Sequence, residues 1–291
     1  MRKEIVVLLV LLSVFLAMGC AGNKSEAPNA TVAPNATVAP NATVTPNATV
    51  TSSAVGTETI TVSAAASLTD AFKDIASQFE KENPGANVSF NFGSSGNLRM
   101  QIENDNTHLI DVFASADESQ MNTLANESLI DNTSRKDFAN NSLVLIVPAD
   151  STLNITSVKD LTDSKVQKIS VGDPNAKVPV GTYTRTALNE SGLWSQLENK
   201  MVFGGDVKQV LTYVERGEAD AGFVYATDVK TAEPGTIKAV ANVSVSTPVT
   251  YPIATVSSSE HKETAQKFID FVTGEEGQAI LKEYGFVVKS Q

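Results

Sequence analysis

The sequence predicts an α/β fold of two lobes, built on mainly parallel sheets flanked by helices. Three observations carry this expectation. From Glu58 onward, short runs of strand-like period alternate with longer runs of helical period. Glycines stand where several of the helical runs end. About 235 of the 291 residues lie beyond residue 57, which suits two lobes of roughly a hundred residues each.

Residues 59–63 alternate as a strand. Leu68, Ala71, Phe72, Ile75, Ala76 and Phe79 then share one helical face, and Pro84-Gly85 ends that helix. Residues 87–92 form a second strand, followed by a Gly-Ser turn and a helix near 98–103. Residues 110–114, 143–147 and 169–171 are further strands. Helices follow near 181–189 and 207–216, with Gly192 and Gly217 placed to cap their C-termini. Residues 222–225 are a strand, and the chain ends in helices around 260–272 and 275–284. Strand–helix alternation implies parallel pairing, and in open α/β sheets the ligand site lies outside the carboxyl ends of the strands.

Ahead of this region, Arg2 and Lys3 give a positive start, followed by an apolar run over residues 5–18. The run is short for a spanning helix and fits the hydrophobic part of a signal peptide. Ala17 and Gly19 precede the only cysteine, Cys20, in a pattern that resembles a lipoprotein signal. The resemblance implies removal of residues 1–19 and a lipid on the Cys20 sulfur. That would anchor the protein to the outer face of the cytoplasmic membrane. An uncleaved helix or a secreted chain with a free thiol is the alternative. Residues 27–50 then read APNATV three times and TPNATV once. Proline in every unit and the lack of core-forming residues make residues 20–57 an extended tether. Asn29, Asn35, Asn41 and Asn47 are N-glycosylation acceptors in tandem. They point to a glycosylating cell of the archaeal kind, with the tether crossing a surface layer.

A formal net charge of -11 and the absence of a basic stripe argue against a nucleic-acid partner. Charge of the whole molecule does not exclude anion binding, because affinity can come from a few aligned dipoles. One cysteine and two histidines, His108 and His261, nearly exclude a Cys/His metal site.

The chemistry is expected at four strand-to-helix turns. In the first, Ser67 is placed to cap a helix, with Asp70 three residues on. The second is Gly93-Ser94-Ser95-Gly96. The third runs from Gly172-Asp173-Pro174 to Val178-Pro179-Val180-Gly181, and the fourth is Gly204-Gly205-Asp206-Val207. A helix start leaves backbone N–H groups unpaired and carries roughly half a positive charge. Several such starts converging on one cleft can hold a small anion without Lys or Arg. The Ser67 and Ser95 hydroxyls would add donors.

With these turns in order, the sequence resembles the periplasmic molybdate-binding proteins of ABC importers. The stretches that carry the resemblance are AAASLTDAF (64–72), FGSSGNLRMQI (92–102), DVFASAD (111–117), NSLVLIVP (141–148), VGDP (171–174), VPVG (178–181), GDVKQVLTYVERGEAD (205–220), GFVYATD (222–228) and YGFVV (284–288). Together they span nearly all of residues 58–291. The resemblance implies a two-lobe, type II periplasmic-binding-protein fold with the ligand in the interlobe cleft. It implies a monomer that captures molybdate or tungstate outside the cell, needs no cofactor, and delivers the anion to an ABC permease and its ATPase subunit. In that family two serine hydroxyls, backbone amides and a tyrosine hydroxyl hold the oxyanion. By motif position these are Ser67, Ser95, the amides of Val180 and Val207, and the hydroxyl of Tyr225. Relatives often carry Ala where Val180 stands, a change a backbone donor tolerates. Some archaeal relatives wrap the metal with carboxylates. No such pair can be placed here, so simple tetrahedral binding is expected.

The expected lobes are residues 58–139 plus 251–291 and residues 140–250, with crossovers near Asn140 and Tyr251. Another tetrahedral oxyanion such as sulfate is the alternative ligand, and an enzyme or adhesin on the same fold is the alternative class. Asp111 and Asp117 could be read as an acid/base pair, but capping suits them better. His108 could serve Ser95 as a base, but Gly93-Ser94-Ser95-Gly96 is not a nucleophile elbow. No Walker A pattern is present, so ATP hydrolysis belongs to a partner subunit.

Overall fold

A computed structural model of the protein describes residues 57–288. The signal sequence, Cys20, the repeat tether and its four acceptors (Asn29, Asn35, Asn41 and Asn47) lie outside the described residues. The described chain runs β1 (Glu58–Ala65), α1 (Thr69–Glu82), β2 (Ala86–Gly93), α2 (Ser95–Glu103), β3 (Val112–Ala114), α3 (Glu118–Asn126) and β4 (Lys136–Asn141). It continues through β5 (Leu143–Pro148), β6 (Ile169–Gly172), α4 (Pro179–Glu190), α5 (Trp194–Leu197), β7 (Met201–Gly204), α6 (Val207–Glu215) and β8 (Ala221–Tyr225). The last elements are α7 (Ala226–Thr231), β9 (Ile237–Val243), β10 (Val249–Thr255), α8 (Lys262–Thr273) and α9 (Glu275–Glu283).

Two five-stranded sheets result, ordered β2-β1-β3-β10-β4 and β7-β6-β8-β5-β9. Both sheets are mixed, with four of the five strands in each running one way and one strand, β10 or β5, running against them. β1 pairs in parallel with β2 and β3, whereas β10 is antiparallel to β3 and β4. Likewise β6 is parallel to β7 and β8, whereas β5 is antiparallel to β8 and β9. The reason is topological. A parallel pair arises when a helix returns the chain to the starting edge. β5 and β10 instead arrive straight from the other sheet. Only Ser142 separates β4 from β5, and residues 244–248 link β9 to β10. The expected boundaries at 139/140 and 250/251 fall inside β4 and β10. Asn140 and Asn141 pair with Thr250 and Val249, which places all four residues in the first sheet.

Each lobe has an apolar centre made by the faces the sequence pattern marks. In the first, Leu68, Ala71, Phe72, Ile75 and Phe79 of the first helical region are buried. Phe72 and Phe79 both meet Phe268 of α8 edge-on, with ring centroids 6.0 and 5.4 Å apart, a favoured aromatic geometry. In the second lobe, Val210, Leu211 and Val214 of α6 are buried. Gly192 and Gly217 follow α4 and α6 with φ of 68° and 66°, the left-handed conformation of a C-cap.

Candidate functional site

The carboxyl ends of β1, β2 and β8 and the N-terminal ends of α2, α4 and α6 converge on one cavity. Its walls include Ser67, Ser95, Val180, Val207 and Tyr225. All five residues singled out from the sequence therefore meet there, two from one lobe and three from the other. Among the lining residues only Asp206 carries a charge. Its carboxylate caps α6, with Oδ1 accepting from the Gln209 N–H at 2.9 Å.

The donors of the site are set by their surroundings. Ser95 is fully buried, and its Oγ accepts the Ala116 N–H at 3.0 Å. A backbone N–H can only donate, so the Ser95 proton is left to point elsewhere. Ser94, not Ser95, is the N-cap of α2, accepting from the Asn97 N–H at 3.3 Å. The first serine of the pair closes the helix, which leaves the second for the cavity. In α4, Pro179 stands at the first helical position and has no N–H to offer. The N–H of Val180 is thus the first donor of that helix. Val207 opens α6 directly after its Asp206 cap. Amides in a first helical turn have no partner within the helix.

The capping role expected of Ser67 does not hold. Ser67 sits in a 3₁₀ turn, Ala66–Leu68, and makes no cap; Leu68 occupies the N-cap of α1. Its Oγ lies 2.9 Å from the hydroxyl of Tyr251 in β10. Tyr251 is a residue the sequence reading missed. Tyr225 is buried, and its hydroxyl makes no hydrogen bond among the described residues. Burial, reinforced by the neighbouring Tyr251 and Tyr183 phenols, pushes the Tyr225 phenol well above its ordinary value. It therefore stays protonated and able to donate, a buried hydroxyl that needs a partner.

An ion pair and a hydrogen bond bridge the lobes. Lys208 of α6 reaches Asp70 of α1 at 3.0 Å and Thr231 at 2.8 Å. Its ammonium also lies 3.6 Å from Asp228 Oδ1, an oxygen without a hydrogen bond of its own. Burial pushes Asp228 up to about 6, against the pull of Lys208. A second bridge runs from Lys230 of α7 to the Glu283 carbonyl at 2.8 Å. The lobes also touch at Gly96 of α2. A Cβ built there would lie 2.6 Å from both Cβ and the carbonyl oxygen of Lys177.

The residues weighed as an acid/base pair have structural partners. Asp111 is buried and accepts from the Thr61 N–H at 2.7 Å and the Ser259 hydroxyl at 2.6 Å. His261 Nδ1 lies 3.1 Å from the same carboxylate. Asp117 caps α3 through the Ser119 N–H. His108 is exposed, whereas Ser95 is wholly buried. Among the described residues no cluster of three or more His, Cys, Asp or Glu could hold a metal ion. No helix among them is long and apolar enough to cross a membrane.

Comparison with known proteins agrees with this architecture. The family profile of bacterial extracellular solute-binding proteins matches residues 60–287. The molybdate-binding protein ModA of Escherichia coli is 37% identical over 239 residues, covering 79% of this chain and 89% of that protein. ModA of Haemophilus influenzae is 35% identical over 233 residues, covering 79% and 90%. Among solved structures, the periplasmic molybdate-binding protein of Azotobacter vinelandii superposes with a TM-score of 0.69 at 25% identity, covering 79% of this chain and all of that one. A profile match over most of the chain, with relatives this similar along nearly their whole length, establishes that the chain belongs to the bacterial extracellular solute-binding proteins, alongside the molybdate-binding ModA proteins.

Proposed function

We propose that the protein captures molybdate or tungstate outside the cell and delivers it to an ABC permease. The observation that carries this reading is the donor set. The cavity gathers two serine hydroxyls, a protonated tyrosine hydroxyl and helix-start amides, with no Lys or Arg in its wall. Neutral donors gathered around one cavity suit a fully deprotonated tetrahedral dianion, since every oxygen accepts. Its relatives bear the names of molybdate-binding proteins, which supports the same ligand here. In this reading the protein is a binding protein without cofactor or catalysis. It acts as a monomer held at the membrane by a lipid on Cys20, with the glycosylated repeat as its tether.

The same donors explain selectivity. Hydrogen phosphate brings a proton that needs an acceptor, and burying it unpaired costs about 1–3 kcal/mol. Sulfate has no such proton but is smaller, so it cannot reach all the fixed donors at once. Titration calorimetry on the purified protein tests this. Molybdate and tungstate are expected to bind far more tightly than sulfate, with phosphate barely binding. Sulfate or phosphate binding as tightly as molybdate would overturn the ligand assignment.

A further inference from the structure

We infer that Tyr251 and Asn141 form a hydrogen-bond relay that fixes the Ser67 hydroxyl as a donor toward the cavity. The inference rests on the reading of Ser67 as an anion ligand and goes one residue behind it. The assignment of protons in the relay starts from a single backbone group. The Ser142 N–H, which can only donate, bonds Asn141 Oδ1 at 2.9 Å. That assigns the two ends of the Asn141 amide, so Nδ2 is the end that donates to the Tyr251 hydroxyl at 3.3 Å and to Thr227 Oγ1 at 2.9 Å. Tyr251 OH accepts a hydrogen bond from Asn141, and Ser67 Oγ, at 2.9 Å, is the other polar atom it meets among the described residues. Its own proton is satisfied in this burial only by donating to Ser67. Ser67 Oγ in turn has accepted, and its remaining proton is free to point into the cavity that it lines.

The relay is placed where it stays ordered. Tyr251 is wholly buried and packs edge-on against Phe286 and Tyr225, with centroids 5.3 and 6.1 Å away. Burial keeps its phenol protonated, chiefly by denying the phenolate its water. Asn141 is the last residue of β4, one step before the chain crosses between the lobes. Its bond to Thr227 of α7 spans the two lobes. The hydroxyl that meets the anion is thus oriented from the crossover strands, and Ser95 is oriented in parallel by the Ala116 N–H. Tyr251 does not line the cavity, so it acts as a positioning residue through Ser67.

A double-mutant cycle read by molybdate calorimetry tests the relay. Tyr251→Phe keeps the ring and removes only the hydroxyl. It is expected to weaken molybdate binding roughly 5- to 30-fold, the worth of one oriented hydrogen bond. The melting temperature of the anion-free protein should change little. Ser67→Ala should weaken binding at least as much, and the double variant should bind no worse than Ser67→Ala alone. A purely structural tyrosine would instead give losses that multiply. A silent Ser67→Ala would overturn the reading of the site itself, and the relay with it. A weakened Ser67→Ala combined with a silent Tyr251→Phe, or with multiplying losses, would overturn the relay alone.

Discussion

Replacing Gly96 with alanine is expected to weaken molybdate binding about 100-fold while leaving the anion-free protein folded. In the closed arrangement the added Cβ would lie 2.6 Å from Lys177 Cβ and its carbonyl oxygen, and 2.8 Å from the Ala176 carbonyl oxygen. These are mostly backbone atoms and cannot step aside as a long side chain could. Lys177 also holds a φ of 58°, so its loop has little freedom to rearrange. Alanine suits a helix better than glycine does, and α2 itself should therefore not suffer. The clash is relieved only by holding the lobes apart. Ser67 and Ser95 then cannot reach an anion bound to Val180, Val207 and Tyr225. Losing even one of these bonds to a charged ligand, worth about 1.5–3 kcal/mol, gives a loss of this size. Calorimetry reads the affinity, and small-angle scattering reads the closure. The wild type should contract on adding molybdate and Gly96→Ala should contract less. A variant with normal affinity would show that the lobes do not close against Gly96.

Ser95→Ala is the second large effect, expected to lose roughly 10- to 150-fold in molybdate affinity. The substitution removes a donor to the anion and also the acceptor of the Ala116 N–H, in a position wholly shut from solvent. Ser94→Ala next to it should behave differently. It removes a helix cap, worth about 1 kcal/mol of stability, and should lower the melting temperature more than the affinity. Ser95→Ala with unchanged affinity would remove Ser95 from the site, and equal affinity losses in both variants would mean that the division of labour between the two serines is wrong.

Much of this architecture is legible in the sequence because local pattern and tertiary role coincide. The helical face of Leu68, Phe72, Ile75 and Phe79 is the buried face of the first helical region. The glycine-rich turns sit at the strand ends that line the cavity. Where pattern and role part, the sequence misleads. β4 reads KDFANN, too polar to announce a strand, yet it is held by pairing with β10. β10 itself contains Pro252, which argues against an internal strand. It is tolerated at a register shift between Tyr251 and Pro252. The mixed sheets follow from β5 and β10 crossing directly between lobes, which no local periodicity records.

The site divides in the same way. The helix starts that hold Ser95, Val180 and Val207 are legible because helix-start chemistry is local, and the resemblance picks out the Val180 and Val207 amides within them. The partner of Ser67 is not, because Tyr251 lies 184 residues away along the chain. A serine before Leu68-Thr69-Asp70 has the pattern of a cap, and only the fold reveals that its oxygen is already taken. Gly96 carries a similar lesson. In the sequence it reads as a glycine that lets the backbone come close to a ligand, whereas in the structure it provides clearance for the opposite lobe.

One oxyanion is expected to be held between the lobes by neutral donors alone. The most direct measurement is an anomalous-scattering map from crystals of the protein grown with molybdate. The metal peak is expected inside the cavity, within hydrogen-bonding reach, through its oxygens, of the Ser67, Ser95 and Tyr225 hydroxyls and the Val180 and Val207 amides. No carboxylate should touch it. A peak outside this cavity, or one with an Asp or Glu oxygen bound to the metal, would contradict the account.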